Sequence, residues 1–533
     1  MKDSSLFYIL KAFLKKQGLK TDFDELEFQL LSHPSYPSLH SVTGVLNHFG
    51  IENLALKVPI NRDILGQLPK TFITLNKKDQ FLVAIKEGGG VSTISTDRGR
   101  KKISVNKFLE SWRGIVVVTE KEDEILKKAG NNKVHGIVYL ITICIILGLF
   151  FFQGPTAFRA GHFLFSIIGF AISVLIVRHE LGLNTRMLHK VCSANETTSC
   201  DAVLNSNGAT ILKWFKLSDA SFVYFLGLVL SWNILLIFRI NDLPIILLTV
   251  LALPITLYSI FYQIFVVKKW CPLCLGIVVV LWMQACTLIF FESSLSTLNV
   301  DSISIVLFLL GFWLAFSFWL FSKPLLVKQI ELKKLSIAHN KFKRNYALFD
   351  ALLAKSNKIQ TGIPEIEGRE IVLGNAYAPI ELLMVTNPLC IYCKSAHHDL
   401  KELLRKNHDS FRILIRFNVS TKTEENLDYR VTCRLLELYS LEPQEMVFEA
   451  LHEVYLDNTD LNMWLSKWGE VKDISFKYLL ERQQQWCHSN GINFTPAVLI
   501  NGREFPKEYE RSDIAYFVED LIEGTEIKEA NPV

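Results

Sequence analysis

KKWCPLCLGIVVVLWMQACTLIFF, residues 268–291, places Cys271 and Cys274 at the lip of an apolar run. The run has about 20 residues, the length an α-helix needs to cross the hydrocarbon core of a bilayer. Two sulfurs separated by two residues can close a disulfide, and at the mouth of a span they touch both water and lipid. The stretch therefore predicts a membrane helix that opens with a redox pair.

Around it, the apolar mass is confined to about residues 134–322, in six runs: His135–Gln153, Gly161–Val177, Phe222–Phe238, Leu243–Val267, Pro272–Phe291 and Ile303–Phe321. Pro254 inside the fourth run is tolerable because neighbouring helices re-satisfy a freed carbonyl. Composition agrees: 50% of the 533 residues are hydrophobic, too many for one soluble domain, yet both ends are charged. A formal net charge of +4 with scattered basic residues sets nucleic-acid binding aside.

MKDSSLFYILKAFLKKQG spreads Lys2, Asp3, Lys11, Lys15 and Lys16 over an amphipathic pattern and lacks the unbroken apolar centre of a signal peptide. A soluble α+β domain over residues 1–125 is expected instead, with a helix, a Pro-punctuated loop HPSYPSL, a helix SVTGVLNHFG and strands TFITL, FLVAIK and GIVVVTE. Beyond the last span (303–322), residues 323–365 read as a charged helical connector, and a second soluble domain runs over 366–533.

That second domain carries IELLMVTNPLCIYCKSAHHDLKELLRK: a strand, a loop, Cys390-Ile-Tyr-Cys393, then a helix with Leu400, Leu403 and Leu404 on one side. Free N–H groups and the dipole at a helix start favour a thiolate on the first sulfur. Further on, GINFTPAVLINGREF offers Thr495-Pro496 before a strand and an Asn-Gly turn, where a cis proline would face the cysteine pair. A zinc knuckle completed by Cys433 and Cys487 is the competing reading of CIYC, but its gaps are long and no tight second pair exists. Cys433 and Cys487 are expected as buried thiols or one extra structural disulfide, and His397-His398 on an exposed helical face.

Strand, CxxC at a helix start and a late Thr-Pro before a hairpin, in that order, resemble the thioredoxin fold. The helical patterns of 424–487 are similar to the insertion of the larger periplasmic disulfide oxidants. The resemblance implies Cys390 as the attacking sulfur, Cys393 as the resolving one, and Thr495 and Pro496 at the substrate.

A further pair, Cys192 and Cys200, lies in VCSANETTSCDAVLNSNGA between the second and third runs. By span parity this loop, the start of the fifth run and the C-terminal domain share one membrane face, as direct thiolate attack on a neighbouring disulfide requires. A loop pair followed by CDAVLNS, then a four-helix core whose last helix opens with CPLC, resembles the vitamin K epoxide reductase family over residues 158–292. Bacterial members often carry a further span, here 134–153, and a fused thioredoxin-like domain. The resemblance implies that Cys192 receives electrons from Cys390/Cys393, that Cys200 passes them to Cys271, and that Cys274 faces a quinone (ubiquinone or menaquinone) near Ser206. Trp270 reads as an interfacial anchor, Cys144 and Cys286 as small apolar residues.

The N-terminal region, over about residues 3–120, resembles the double-glycine leader peptidase domain of peptide exporters, a papain-type fold, through LKKQGLK, LPKTFITL, QFLVAI and STDRGRKKISVNKFLESWRGIVVV. No cysteine occurs in the first 143 residues, Ser4 or Ser5 stands at the nucleophile position, Gln80 at that of the histidine, and Asp97 alone matches. An orienting carboxylate without nucleophile and base cannot cleave, so an inactive module binding a leader peptide or partner is expected.

Arg178, Arg186, Lys190, Lys213, Lys216, Lys268 and Lys269 flank the membrane cysteines, and Arg159 and Arg239 the opposite loops, a pattern that favours a cytoplasmic redox face. Disulfide chemistry and the resemblance favour the opposite orientation: a multi-pass protein of the inner (cytoplasmic) membrane with periplasmic redox domains. Three function classes follow. The leading one is a quinone-linked oxidoreductase making disulfides in exported proteins or peptides; the others are a reductase using the same residues in reverse and a non-catalytic peptide-binding export accessory.

Overall fold

The computed structural model describes residues 5–530 other than 20, 97–98, 120–132, 184–191, 193–196, 213, 292–300, 457–458 and 473–474. The chain divides into two compact units, residues 130–334 and residues 1–129 with 335–533. Ser4 and Asp97, and the charges of Arg186, Lys190 and Lys213, lie outside the described residues.

In the second of these units the N-terminal part begins with α1 (Ser5–Gln17), which buries Leu6, Ile9, Leu10, Phe13 and Leu14, one apolar stripe at helical spacing. Asp22 caps α2 (Phe23–Leu31) by accepting two backbone N–H bonds, and a Ser38/Ser41 capping box opens α3 (Leu39–His48). A six-stranded antiparallel sheet in the order β1-β6-β2-β3-β4-β5 follows. Its strands are β1 (Asn53–Lys57), β2 (Thr71–Asn76), β3 (Phe81–Glu87), β4 (Gly90–Ser95), β5 (Gly99–Ile103) and β6 (Trp112–Thr119), with α4 (Arg62–Gln67) and α5 (Val105–Ser111) between them. The three expected strands are β2, β3 and β6, the middle of the sheet, where apolar residues are densest. β1, β4 and β5 were not expected; β1 and β5 form the two edges, and their exposed positions weaken the apolar signal.

The membrane unit contains α6 (Lys133–Phe152), α7 (Ala157–Glu180), the short α8 (Cys200–Leu204), a small hairpin β7 (Thr210–Leu212) and β8 (Phe215–Lys216), then α9 (Leu217–Ile237), α10 (Leu243–Phe261), α11 (Pro272–Phe291) and α12 (Ser302–Lys343). Among the described residues five helices are long and apolar enough to cross a membrane, where six were expected, and the described part of α6 adds a shorter apolar stretch, Leu140–Phe152. The sixth span and the first part of the charged connector, to Lys343, are one continuous helix, α12, through Pro324. Its membrane part is tied to α9 by the buried Asp219, which accepts from Trp319 Nε1 at 2.9 Å and Lys323 Nζ at 2.6 Å.

The C-terminal domain has a mixed sheet in the order β13-β12-β10-β11-β9, with β10 parallel to β11 and the other pairs antiparallel. α13 (Tyr346–Lys355), ahead of the boundary expected at 366, seats Phe349 and Leu353 in its core. β9 (Ile371–Gly374) and β10 (Ile380–Thr386) precede α14 (Ile391–Lys406) and β11 (Phe411–Phe417). α15 (Leu427–Leu441), α16 (Gln444–Val454), α17 (Leu461–Trp468) and α18 (Ser475–Ser489) form the expected helical insertion, before β12 (Ala497–Ile500), β13 (Arg503–Glu504) and α19 (Val518–Ala530).

Arg416 on β11 is fully buried and makes a bidentate pair with Glu370, both contacts at 2.7 Å, beneath the Trp486 ring. A guanidinium stripped of its carboxylate in such a place is costly. Glu370→Ala should destabilise this domain by about 3–5 kcal/mol, whereas the double change Glu370→Leu/Arg416→Met should be far milder. Thermal unfolding of the full chain, followed by exposure of the Cys433 thiol, checks both.

Candidate redox sites

Three cysteine pairs were expected, and each occupies a helix start or the loop that meets one. Cys192 and Cys200 form a disulfide. Cys271, Cys274, Cys390 and Cys393 are free.

In the membrane unit, Cys192, Cys200 and Cys271 are buried in one cluster with Ile176, Val203, Leu204 and Leu273, and Cys274 packs against it. The loop is clamped to the helix mouth by backbone bonds: Ser199 N–H donates to the Trp270 carbonyl and Trp270 N–H to the Thr197 carbonyl, each at 2.9 Å. Ser199 and Trp270 each immediately precede a cysteine. Trp270, expected as an interfacial anchor, thus aligns the loop through its main chain.

The chain reaches this point through a π-helical turn, Tyr262–Val267, and a left-handed Lys268. The turn points Gln263 back, so that its Oε1 accepts the Cys271 N–H at 2.8 Å. Cys274 N–H donates to Cys271 Sγ at 3.3 Å, the sulfur that sits on the open end of α11.

Beyond Cys274 opens a largely apolar cavity of about 370 Å³ between α7, α9, α10 and α11. Ile277, Val278, Leu281, Phe225 and Ala252 are among its lining residues, and Ser206 borders it, with its hydroxyl donating to the Val203 carbonyl at 2.7 Å. Tyr224 also lines this space; its hydroxyl is itself buried and finds no hydrogen-bond partner among the described residues. Gly208 closes one side: its N–H donates to the Tyr262 hydroxyl at 3.0 Å, and a Cβ there would stand 2.4 Å from the tyrosine ring.

In the C-terminal domain, Cys390 is the N-cap of α14 and Cys393 is buried one turn inside it. The Thr495–Pro496 peptide is cis, and the Thr495 carbonyl lies 3.3 Å from Cys390 Sγ. Partial burial pushes the Cys390 thiol up. Hydrogen bonds from the Thr495 and Cys393 side chains and from the Cys393 and Tyr392 N–H groups outweigh it, leaving the pKa below its ordinary value. Burial pushes Cys393 up to about 11.

His397 corrects the sequence reading, which put it on an exposed face. It is buried beneath the pair, Nε2 3.2 Å from Thr386 Oγ1, its ring stacked 3.6 Å from that of Tyr455. Burial holds its pKa down to about 3, so the imidazole stays neutral. The signal was available: Cys393, Ala396, His397, Leu400, Leu403 and Leu404 follow a single helical stripe.

Cys433 and Cys487 lie in different hydrophobic clusters as free buried thiols, pushed up by burial to about 11 and about 12. Cys144 is exposed on α6 and Cys286 half-buried on α11, both free. Ser5 opens α1, and Gln80 sits in the β2–β3 turn bonded to Asn76.

Residues 162–289 match the Vitamin K epoxide reductase family and residues 367–520 match a Thioredoxin family. The chain is a fusion of these two kinds of domain, and together they support a thiol–disulfide oxidoreductase. Among solved structures it is similar to oxidised BdbD from Bacillus subtilis (15% identity, 32% of this chain and 100% of that one, TM-score 0.26). It is also similar to a periplasmic thioredoxin-like protein from Salmonella enterica serovar Typhimurium (19%, 33% and 97%, TM-score 0.25) and to the catalytic domain of Proteus mirabilis ScsC (17%, 30% and 91%, TM-score 0.25). No curated protein matches the chain.

With the C-terminal pair reduced, Cys390 should alkylate with a pH midpoint below the ordinary thiol value of about 8.5, and Cys393 only well above it. Equal iodoacetamide rates at pH 7 would contradict this asymmetry. His397 gives a second expectation. Between about 3 and about 6.5 its unfolded form binds a proton that the folded form refuses, so stability should fall as pH drops through that window. The slope is at most about 1.4 kcal/mol per pH unit and should be shallower in His397→Asn, as read by denaturant exposure of Cys433.

Proposed function

We propose that this protein is a quinone-linked thiol–disulfide oxidoreductase that drives disulfide formation in exported proteins or peptides. Electrons enter at Cys390/Cys393, cross to Cys192/Cys200, and reach Cys271/Cys274. The observation that carries the reading is the apolar cavity that opens at Cys274. Its size and its greasy lining fit a flat lipid-soluble ring. A quinone bound there would supply a two-electron acceptor. The chain's own contribution is to bring sulfurs together, hold Cys271 on the N–H groups of its helix, and keep water from Cys274.

Client recognition is supported by the rim of the C-terminal pair. Leu389, Ile391, Tyr392 and Phe494 are exposed beside Cys390 and Thr495, with Ile391 at 77% and Tyr392 at 76%, and such a surface suits extended polypeptide rather than a small polar thiol. Arg344 Nη1 donates to Gln29 Oε1 at 2.7 Å, so the two soluble regions touch. Regions that touch lie on one membrane face, and the even number of crossings this requires supports counting α6 as a sixth span. Lys216 is paired with Glu180 at 2.9 Å, so part of the positive charge near the cysteines is balanced locally. That supports the periplasmic orientation in an inner membrane against the raw count of basic residues.

Cys274→Ser, and likewise Cys271→Ser, should trap Cys390 and Cys393 as thiols in intact membranes, whereas the parent chain holds them oxidised. Alkylation mass shifts read the outcome; unchanged oxidation in either variant would refute the relay.

A further inference from the structure

The relay as drawn uses only sulfur, yet α7 ends beside the loop disulfide with a buried histidine. A ring nitrogen of His179 and the sulfurs of Cys192 and Cys200 all lie within 4.8 Å of one another. Nδ1 is 3.6 Å from Asp201 Oδ1, on the first turn of α8 next to Cys200. The helix end is closed by its own backbone: Leu181 N–H donates to the Val177 carbonyl at 2.9 Å, and Gly182 N–H to that of His179 at 3.0 Å. On its own helix, Glu180 is engaged by Lys216 and Ser218, which leaves the Asp201 carboxylate as the acid facing the imidazole, with Arg178 its other charged neighbour in sequence. Among the described residues, Cys271 and Cys274 are the free cysteines of the hydrophobic cluster that holds the loop disulfide.

A leaving thiolate in so buried a place needs a proton or a nearby positive charge, and an imidazole paired with a carboxylate can supply either near neutral pH. We propose that His179 is the proton shuttle of the loop disulfide, with Asp201 as its orienting partner. The proposal rests on the relay reading only for the second of its two steps. In the first, an incoming thiolate attacks Cys192 Sγ and forms a mixed disulfide. The Cys192–Cys200 bond breaks, its electron pair leaves on Cys200 Sγ, and the His179 imidazolium gives that sulfur its proton. In the second, neutral His179 takes the proton back, and the freed Cys200 thiolate attacks Cys271 Sγ of an oxidised Cys271–Cys274 pair, whose electron pair leaves on Cys274; the donor's second thiolate then closes the donor disulfide and releases the Cys192 thiolate, which attacks Cys200 Sγ, re-forms Cys192–Cys200 and frees Cys271. The proton is borrowed and returned; two electrons have moved.

The first step is testable without any quinone. The full-length protein is mixed with dithiothreitol between pH 5 and 8.5, quenched with an alkylating reagent, and the peptides holding Cys192 and Cys200 are followed by mass. Rates are divided by the thiolate fraction of the reductant. In the parent chain the normalised rate should fall as pH rises across this range, because the imidazolium that donates the proton is lost. His179→Gln should remove that fall and slow reduction at pH 6 at least about tenfold. Asp201→Asn, at a carboxylate whose side chain is 64% exposed, tests the same device with little risk to folding. It should lower the normalised rate at pH 6 and flatten the profile, because the carboxylate no longer holds the ring toward the sulfur. If both variants keep the parent rate and profile, or if Asp201→Asn does so where His179→Gln fails to fold, the proposal is overturned. Failure of the relay itself would appear elsewhere, as continued oxidation of Cys390/Cys393 in the Cys274→Ser chain.

Discussion

Two backbone hydrogen bonds, between residues 197–199 and Trp270, hold the loop disulfide of the membrane unit in register with the helix mouth at Cys271. A disulfide can be passed only to a sulfur that makes direct contact, so the geometry of a relay is set by whatever fixes one chain segment against another. Here the clamp joins a loop to the mouth of a span, one residue before Cys200 on one side and one residue before Cys271 on the other. Both cysteines are thereby delivered to helix starts, with Ser199 capping α8 through the Ala202 N–H and Gln263 taking up the Cys271 N–H. The π-helical turn at 262–267 belongs to the same device, since it turns Gln263 toward the site.

The C-terminal pair is controlled by burial instead. Cys390 stands half-buried at the helix end where N–H groups favour its thiolate, while Cys393, one turn deeper, is held as a thiol by desolvation. Under Cys393 lies a small polar layer of Thr386, His397 and Tyr455, hydrogen-bonded and stacked. A neutral imidazole satisfies that layer without placing a charge in the core, which is why its depressed pKa belongs to the fold as much as to the site.

Polar groups elsewhere in the membrane unit divide by role. Asp219 with Trp319 and Lys323, and His162 between Trp232 and Thr249, are satisfied networks that tie helices together. Around the cavity the balance is reversed: apolar side chains dominate its lining.

The sequence alone determined the elements and their chemistry. Apolar run length gave the membrane helices, and CPLC, CIYC and Thr495-Pro496 marked the redox pairs and the cis bond, because spacing along one segment is a local property. It went astray where a neighbour decides. The edge strands β1 and β5 exist only because partners hydrogen-bond them, and His397 is a core residue because Tyr455, far along the chain, covers it. Only the tertiary structure brought the Cys192–Cys200 loop against Cys271, opened the cavity at Cys274 and set His179 beside the disulfide. Those contacts join segments tens of residues apart, and their choice depends on how helices cross and where backbone groups find partners, which no periodicity within a single segment records.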